Sequence, residues 1–404
     1  MLTIWPPLPI IIQDWGYSAY NKDNIIAALE PHDRVCKIEL AHIPSSFMAK
    51  LVAGMQEPFP ALTYLDLRAK EDTWAPVISD TFLGGFAPNL EKFSLRRIPI
   101  PFTGLRESLL SATNLVTLYL HEIPHSAYFS PEAIVTCLSV MTRLETLYIE
   151  FESPQSRPHR EHRRPPPPTR NLLPALRTLR FNGVSEFLED LVARIDAPQI
   201  RELGMSFFHQ PIFDTPRLAQ FISRGCRKQK DGARNEAHVI FSDQNVTVLL
   251  PQQFAERLEL AVLCKHSDWQ LSALAQVCNS SFPQASILAV QSLYIRDQES
   301  SHSQLHWQYG IENNQWLELL HPFTGVNQLF LSREFAPRIA PALQELVGGR
   351  TNEVLPTLQS ISWEGLQPSG VVPGIIQKFV TARHLSDHPV AVIPWENQLR
   401  RMWW

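Results

Sequence analysis

"FPALTYLDLRA", residues 59–69, holds a proline and then three apolar positions, Leu62, Leu65 and Leu67, spaced L-x-x-L-x-L. The phrase returns as "APNLEKFSLRR" (87–97), "ATNLVTLYLHE" (112–122), "MTRLETLYIEF" (141–151), "LPALRTLRFNG" (173–183), "APQIRELGMSF" (197–207) and "LPTLQSISWEG" (355–365). The template therefore fits at Leu90/Phe93/Leu95, Leu115/Leu118/Leu120, Leu144/Leu147/Ile149, Leu176/Leu179/Phe181, Ile200/Leu203/Met205 and Leu358/Ile361/Trp363. Further copies are Val35/Ile38/Leu40, Val290/Leu293/Ile295 and Val326/Leu329/Leu331, with weaker candidates at "HVIF" and "RLELAVLC". Clear copies recur roughly 24 to 36 residues apart, a spacing typical of leucine-rich-repeat-like units.

Within L-x-L the apolar residues alternate, so they face one side of a short strand and the x residues face the other. Prolines 60, 88, 174, 198 and 356 stand two residues ahead of the first apolar position. Each is read as ending a helix and pushing its neighbour toward extended backbone. Between copies the period turns helical. Phe47, Leu51, Val52 and Met55 share a face, as do Phe187, Leu188, Leu191, Val192 and Ile195. In "SPEAIVTCLSVM" Ser130 is an N-cap, Pro131 takes the first helical position, and Ile134, Val135, Leu138 and Met141 form the stripe.

A strand, loop and helix cannot bury an apolar face alone, but stacked neighbours bury one continuous core. The expected fold is α/β: one leucine-rich-repeat-like curved solenoid over residues 1–404, with a parallel sheet on the concave face and helices on the convex face. The plainer reading is an ordinary α/β domain in which L-x-L recurs by chance, and about ten copies at similar spacing argue against it. Leucine-rich repeats usually place Asn or Cys three residues past the last apolar position. Here that slot holds Lys70, Ile98, Ile123, Val184, Phe208 or Leu366, so no Asn ladder is expected.

Some segments break the pattern. Residues 153–171, "SPQSRPHREHRRPPPPTRN", are rich in Pro and Arg and read as a mobile loop between repeats. Residues 225–237, "GCRKQKDGARNEA", form a second basic loop, and "HVIFSDQNVTVLLP" reads as an inserted hairpin. Residues 396–404 are a loose tail, and its Trp403 and Trp404 have no assigned role.

Composition suits a folded chain with a large core: 44% apolar, 19% charged, net charge −4. That balance gives no field to recruit nucleic acid or an anionic membrane. No run of apolar residues is long enough for a membrane span, and the opening "MLTIWPPLPIIIQDW" lacks the basic start of a secretory signal. Cys36, Cys137, Cys226, Cys264 and Cys278 are odd in number and scattered, as expected of reduced thiols in the cytoplasm or nucleus.

Longer phrases carry a resemblance. "RRPPPPTRNLLPALRTLRFNGVSEFLEDLVARIDAP", "FFHQPIFDTPRLAQFISR", "SDWQLSALAQVCNSSFPQ" and "FVTARHLSDHPVAVIPW" resemble the leucine-rich-repeat region of the F-box-like family of mushroom-forming fungi. The likeness runs from about "IWPPLPIIIQDW" to Trp395. It implies repeats that hold the substrate of a cullin–RING ubiquitin ligase. Members carry an N-terminal F-box that docks a Skp-type adaptor. No "LP-x-E-[IVL]" box precedes the repeats here, so adaptor binding is not expected.

Catalytic signatures are sparse. There is no phosphate-binding glycine loop, no G-x-S-x-G and no H-E-x-x-H. His159 and His162 of "HREH" stand among Arg157, Arg160, Arg163 and Arg164, whose charge repels a metal. "CKHSD" places Cys264, His266 and Asp268 side by side, but a nucleophile, base and orienter must converge in space. Asp268 reads better as a helix N-cap and Cys264 as core. No catalytic, cofactor or metal residue is assigned and no cofactor is expected.

The stronger candidate surface is the strand face turned away from the core. Tyr64, Tyr119, Tyr148, Arg180, Tyr294 and Phe330 occupy its x positions, and Arg68, Arg96, His121 and Arg296 follow just past the strands. Tyr and Arg are favoured at protein hot spots, although aromatics also simply pair across strands. The expected function is a non-catalytic protein-interaction scaffold with an unidentified protein on the concave face, no membrane and no nucleic acid. The alternatives are a hydrolase with a dispersed triad, or an RNA- or phosphoprotein-binding scaffold using the basic loops.

Overall fold

A computed structural model describes residues 8–15, 22–70, 81–158, 167–225, 235–251, 257–264, 267–298, 313–346, 350, 352–366 and 374–395. They fall into two compact units, Met1–Leu203 and Gly204–Trp404.

In the first unit the strands are β1 (Ile10–Asp14), β2 (Val35–Ile43), β3 (Tyr64–Ala69), β4 (Lys92–Arg96), β5 (Thr117–Ile123), β6 (Thr146–Phe151) and β8 (Thr178–Gly183), hydrogen-bonded in that order. A separate parallel pair joins β7 (Asn171–Leu172) to β9 (Ile195–Asp196). The helices are α1 (Lys22–Leu29), α2 (Ser45–Ala53), α3 (Phe102–Ser111), α4 (Pro131–Leu138) and α5 (Ser185–Val192). Every neighbouring strand pair is parallel, and the template sets the register. Ile38, Leu65, Phe93, Leu118, Leu147 and Leu179 lie level across six strands; so do Leu40, Leu67, Leu95, Leu120, Ile149 and Phe181. Both rows are buried. Side chains alternate along a strand, so the intervening residues form a second, open face.

The second unit begins within β10 (Glu202–Phe208), whose first two residues close the first unit, and holds α6 (Pro216–Gly225), β11 (Glu236–Phe241), β12 (Asn245–Pro251), β13 (Arg257–Leu263), α7 (Ser267–Ser280), α8 (Gln284–Leu288), β14 (Ser292–Asp297), α9 (Asn313–Leu320), β15 (Gln328–Leu331), α10 (Ala336–Gln344), β16 (Ser360–Glu364), α11 (Gly374–Leu385) and β17 (Ala391–Trp395). Strand order is β10-β13-β12-β11-β14-β15-β16-β17. From β11 through β14 to β17 the pairs are parallel. The expected hairpin at β11 and β12 is present, turned at Ser242–Gln244. It continues antiparallel into β13, so "RLELAVLC" closes a three-stranded meander and is not a repeat copy. Each unit is thus α/β with a mostly parallel sheet.

The prolines act differently from expectation. Leu62 N donates to Phe59 O, Leu90 N to Ala87 O, Leu176 N to Leu173 O and Leu358 N to Leu355 O. Each proline is therefore the second residue of a tight turn, where its fixed φ is preset, and does not stop a helix. Leu115, Leu144, Ile200 and Val326 close the same turn. From the turn each repeat bonds backward to the one before: Thr63 N to Cys36 O, Glu91 N to Thr63 O, Val116 N to Glu91 O, Glu145 N to Val116 O and Arg177 N to Glu145 O. Two asparagines reinforce this ladder. Asn89 Nδ2 donates to Pro60 O at 2.8 Å and Asn114 Nδ2 to Pro88 O at 3.2 Å.

In four repeats the slot three residues past the strand triplet holds an apolar plug. Ile43, Ile98, Ile123 and Val184 are all buried. At three of these corners the preceding residue is left-handed: His42 (φ 52°), Arg97 (φ 57°) and Glu122 (φ 49°), with Gly365 (φ 80°) matching them after β16. That conformation costs an L-residue about 1 kcal/mol, and a buried aliphatic plug offsets it.

Ser130 caps α4 as expected, accepting from Ala133 N at 3.2 Å with Pro131 at the first position. Three helices are shorter than their stripes. Met55 and Met141 lie past the ends of α2 and α4 yet stay buried, and Ile195 belongs to β9. Asp268 is the second residue of α7 (Ser267–Ser280). Ile200 is only half-buried, unlike the other first positions.

Candidate functional site: the open face of the sheet

On the first unit's open face Tyr64 lies between two ammonium groups. Lys37 Nζ is 4.5 Å and Lys92 Nζ 4.6 Å from its ring centre, and Lys92 also donates to the Tyr64 hydroxyl at 2.8 Å. One row on, Asp66 is buried. Arg68 donates from Nε to Oδ1 at 3.0 Å and from Nη2 to Oδ2 at 2.8 Å, and Ser94 Oγ bonds Oδ1 at 3.2 Å. Burial opposes ionisation of Asp66, but the Arg68 hydrogen bonds and charge, with Lys92 nearby, hold its carboxyl below the usual range.

Tyr119 and Tyr148 are register partners on β5 and β6, with ring centres 5.9 Å apart. His121 stacks on both, at 5.3 Å from Tyr119 and 4.1 Å from Tyr148. Glu150 anchors the group: His121 Nδ1 lies 3.3 Å from Oε2, the Tyr148 hydroxyl donates to Oε2 at 3.3 Å, and Asn182 Nδ2 donates to Oε1 at 3.1 Å. Burial works against the Glu150 charge, yet these bonds keep its carboxyl below the ordinary value. Burial, with Glu150 adding to it, pushes the Tyr148 phenol up to about 12. Arg96 Nη2 reaches Glu122 Oε1 at 2.7 Å, Arg97 pairs with the other oxygen of Glu122, and Arg180 pairs with Glu202.

The second unit has its own aromatic row. His238 stacks on Tyr294 at 4.5 Å and 12°, Tyr294 on Phe330 at 4.2 Å and 7°, and Trp395 packs edge-on to Phe330 at 5.6 Å. His238 is 4% exposed, and neither ring nitrogen has a hydrogen-bond partner in the structure. Glu236 Oε2 is 3.7 Å from its Nε2. Arg296 is half-buried, with Nε unpartnered.

All ten sequence candidates thus lie on the open face, seven in the first unit (Tyr64, Arg68, Arg96, Tyr119, His121, Tyr148 and Arg180) and three in the second (Tyr294, Arg296 and Phe330). Sequence reading passed over Lys37, Arg97, Glu122, His238 and Trp395. Alternation within "EAHVIF" was the available signal for His238, since it falls level with Tyr294.

The described residues offer little reactive chemistry. Burial pushes the Cys137 and Cys278 thiols up to about 12, which holds them protonated. Cys264 is buried and its carbonyl accepts from Gln270 Nε2 at 2.6 Å. Among the described residues no three His, Cys, Asp or Glu side chains are grouped to hold a metal, and no helix is long and apolar enough to cross a membrane. Cys226, His159, His162, Arg160, Arg163, Arg164, His266, most of the 225–237 loop and the 396–404 tail lie outside the described residues. The flanks of the 153–171 segment are anchored: Ser156 is buried beside His125 Nδ1 at 3.3 Å, and Asn171 enters β7.

No family model matches this chain, and neither does any curated protein. Among solved structures the leucine-rich repeat-containing protein LegL7 from Legionella pneumophila is similar over 94% of this chain and 98% of that one. Its identity is 14% and its TM-score 0.32. At that score the likeness carries no weight, and the fold rests on the strand register itself.

Proposed function

We propose that this chain is a non-catalytic protein-interaction scaffold: one curved, leucine-rich-repeat-like solenoid whose open, concave sheet face takes up another protein. In this reading it works in the cytoplasm or nucleus as the substrate-recognition repeats of an F-box-type ubiquitin-ligase lineage, a role supported by the sequence resemblance. The observation that carries the reading is that the outward aromatics are already stacked. Tyr119, His121 and Tyr148 form one group, and His238, Tyr294, Phe330 and Trp395 another. Side chains locked before binding lose little rotamer freedom on binding. Their rings already pack against one another and do not stand apart as separate stacking platforms. That suits a polypeptide better than nucleic acid, whose bases stack on open faces.

The test replaces Tyr119, Tyr148 and Tyr294 together by Ser. Partner capture from a lysate of the source cells should be lost while circular dichroism and cooperative melting persist. Capture unchanged by the triple substitution would return these tyrosines to sheet packing.

A further inference from the structure

The ion pairs of the first unit's open face are layered. Asp66 is 1% exposed beneath Arg68 at 42%, and Glu122 is 18% exposed beneath Arg96 at 45%. Lys37 over Glu39, Lys92 over Asp66, Arg97 over Glu122 and Arg180 over Glu202 repeat the order, as does His121 over Glu150. In each pair the nitrogen side chain is the outer member. The charges nearly cancel in sum, but the cations meet solvent and the carboxylates form the floor. An approaching group therefore meets positive charge first, and the nearer charge dominates at contact distance.

The cations also keep donors in reserve. A guanidinium carries five N–H groups. Arg68 uses Nε and Nη2 on Asp66, and Arg96 uses Nη2 on Glu122. Donors remain on both for a second oxyanion without breaking the first pair.

Building on the proposed concave-face reading, we infer that the first unit's face recognises an acidic polypeptide segment. Asp or Glu carboxylates of that segment would share the outer guanidinium groups of Arg68 and Arg96. Lys92 and Tyr119, 5.9 Å apart, would lie along the same track. A polypeptide is favoured over a phosphate polymer because the neighbouring rings already stack on each other and do not stand apart as separate platforms for bases.

The probe is a displayed library of random dodecapeptides panned on the immobilised full chain. Clones are re-tested on three variants: Tyr119→Ser/Tyr148→Ser, Arg68→Gln/Arg96→Gln and Arg68→Lys/Arg96→Lys. The inference expects clones rich in Asp and Glu that lose at least about tenfold in affinity on the Gln variant. The Lys variant should keep their acidic preference at lower affinity, and raising salt from about 50 to about 500 mM should weaken them. Clones that need the tyrosines but carry no acidic bias overturn this inference and spare the binding face. An absence of tyrosine-dependent clones overturns both. Acidic clones indifferent to the Gln variant overturn it as well. So does a random single-stranded RNA pool retained through the same arginines when no acidic peptide emerges.

Discussion

Arg68 grips Asp66 through two parallel hydrogen bonds, of 3.0 and 2.8 Å, while the carboxylate itself is 1% exposed. The folded pKa of Asp66 is lowered, so its contribution is complete above the unfolded value of about 3.9 and is lost as pH falls through the folded one. Asp66→Asn should cost about 2 kcal/mol in urea unfolding at neutral pH. The gap to the parent chain should begin to close as pH falls below about 4 and should vanish once pH has passed through the lowered folded value. A gap independent of pH would mean that the pair adds nothing as an ion pair.

Leu147 sits level with Leu118 and Leu179 and has no exposed surface. Leu147→Ala should destabilise the chain by about 2–5 kcal/mol in denaturant titration. A change near zero would place that side chain outside the core.

Gly325 lies in the turn before β15, where a Cβ would stand 2.1 Å from Leu288 O. A backbone oxygen cannot swing aside as a side-chain tip can. Gly325→Ala should therefore cost about 3 kcal/mol, read as a lowered melting temperature. Gly374, where a Cβ meets nothing within 4 Å, is the control and should tolerate alanine.

Asn89 and Asn114 each tie one turn to the preceding one. Asn→Ala at either should cost about 1 kcal/mol, and the double substitution should sum to about 2 kcal/mol unless the two turns couple. Chemical denaturation of the two single variants and the double variant measures this.

Arg383 has no exposed surface and donates to Asn352 Oδ1 at 2.6 Å and to the carbonyls of Leu355, Pro356 and Leu358. Burial lowers its pKa, the mark of a desolvated cation. Arg383→Met keeps the bulk and removes the donors. It should cost about 3 kcal/mol in denaturant unfolding, and a neutral result would show that water replaces the guanidinium.

The apolar triplets are legible in the sequence because each repeats one local rule: the same L-x-x-L-x-L spacing, with its alternation within the strand. That rule alone is enough to set Leu65, Phe93, Leu118 and Leu147 level. The partners of the open face obey no such rule. Ser94 meets Asp66, and Lys92 meets Tyr64, across a repeat whose length varies, so register must be known first. Left-handed corners are hidden for another reason. His42, Arg97 and Glu122 take a conformation usually signalled by glycine, and the buried plug that compensates lies one residue later. His238 escapes a sequence reading because the meander interrupts the period just where its row would continue.

The backward bonds of the first unit all run from one equivalent residue to the last: Thr63 to Cys36, Glu91 to Thr63, Val116 to Glu91. Each repeat consults only its predecessor, and every predecessor presents the same acceptor. Excising residues 91–115 would set Val116 N against Thr63 O, the acceptor that Glu91 N now uses. The chain's length is accordingly open to revision by whole words. Duplication and loss between equivalent turns leave the grammar of the backbone intact while changing which side chains are set out on the open face.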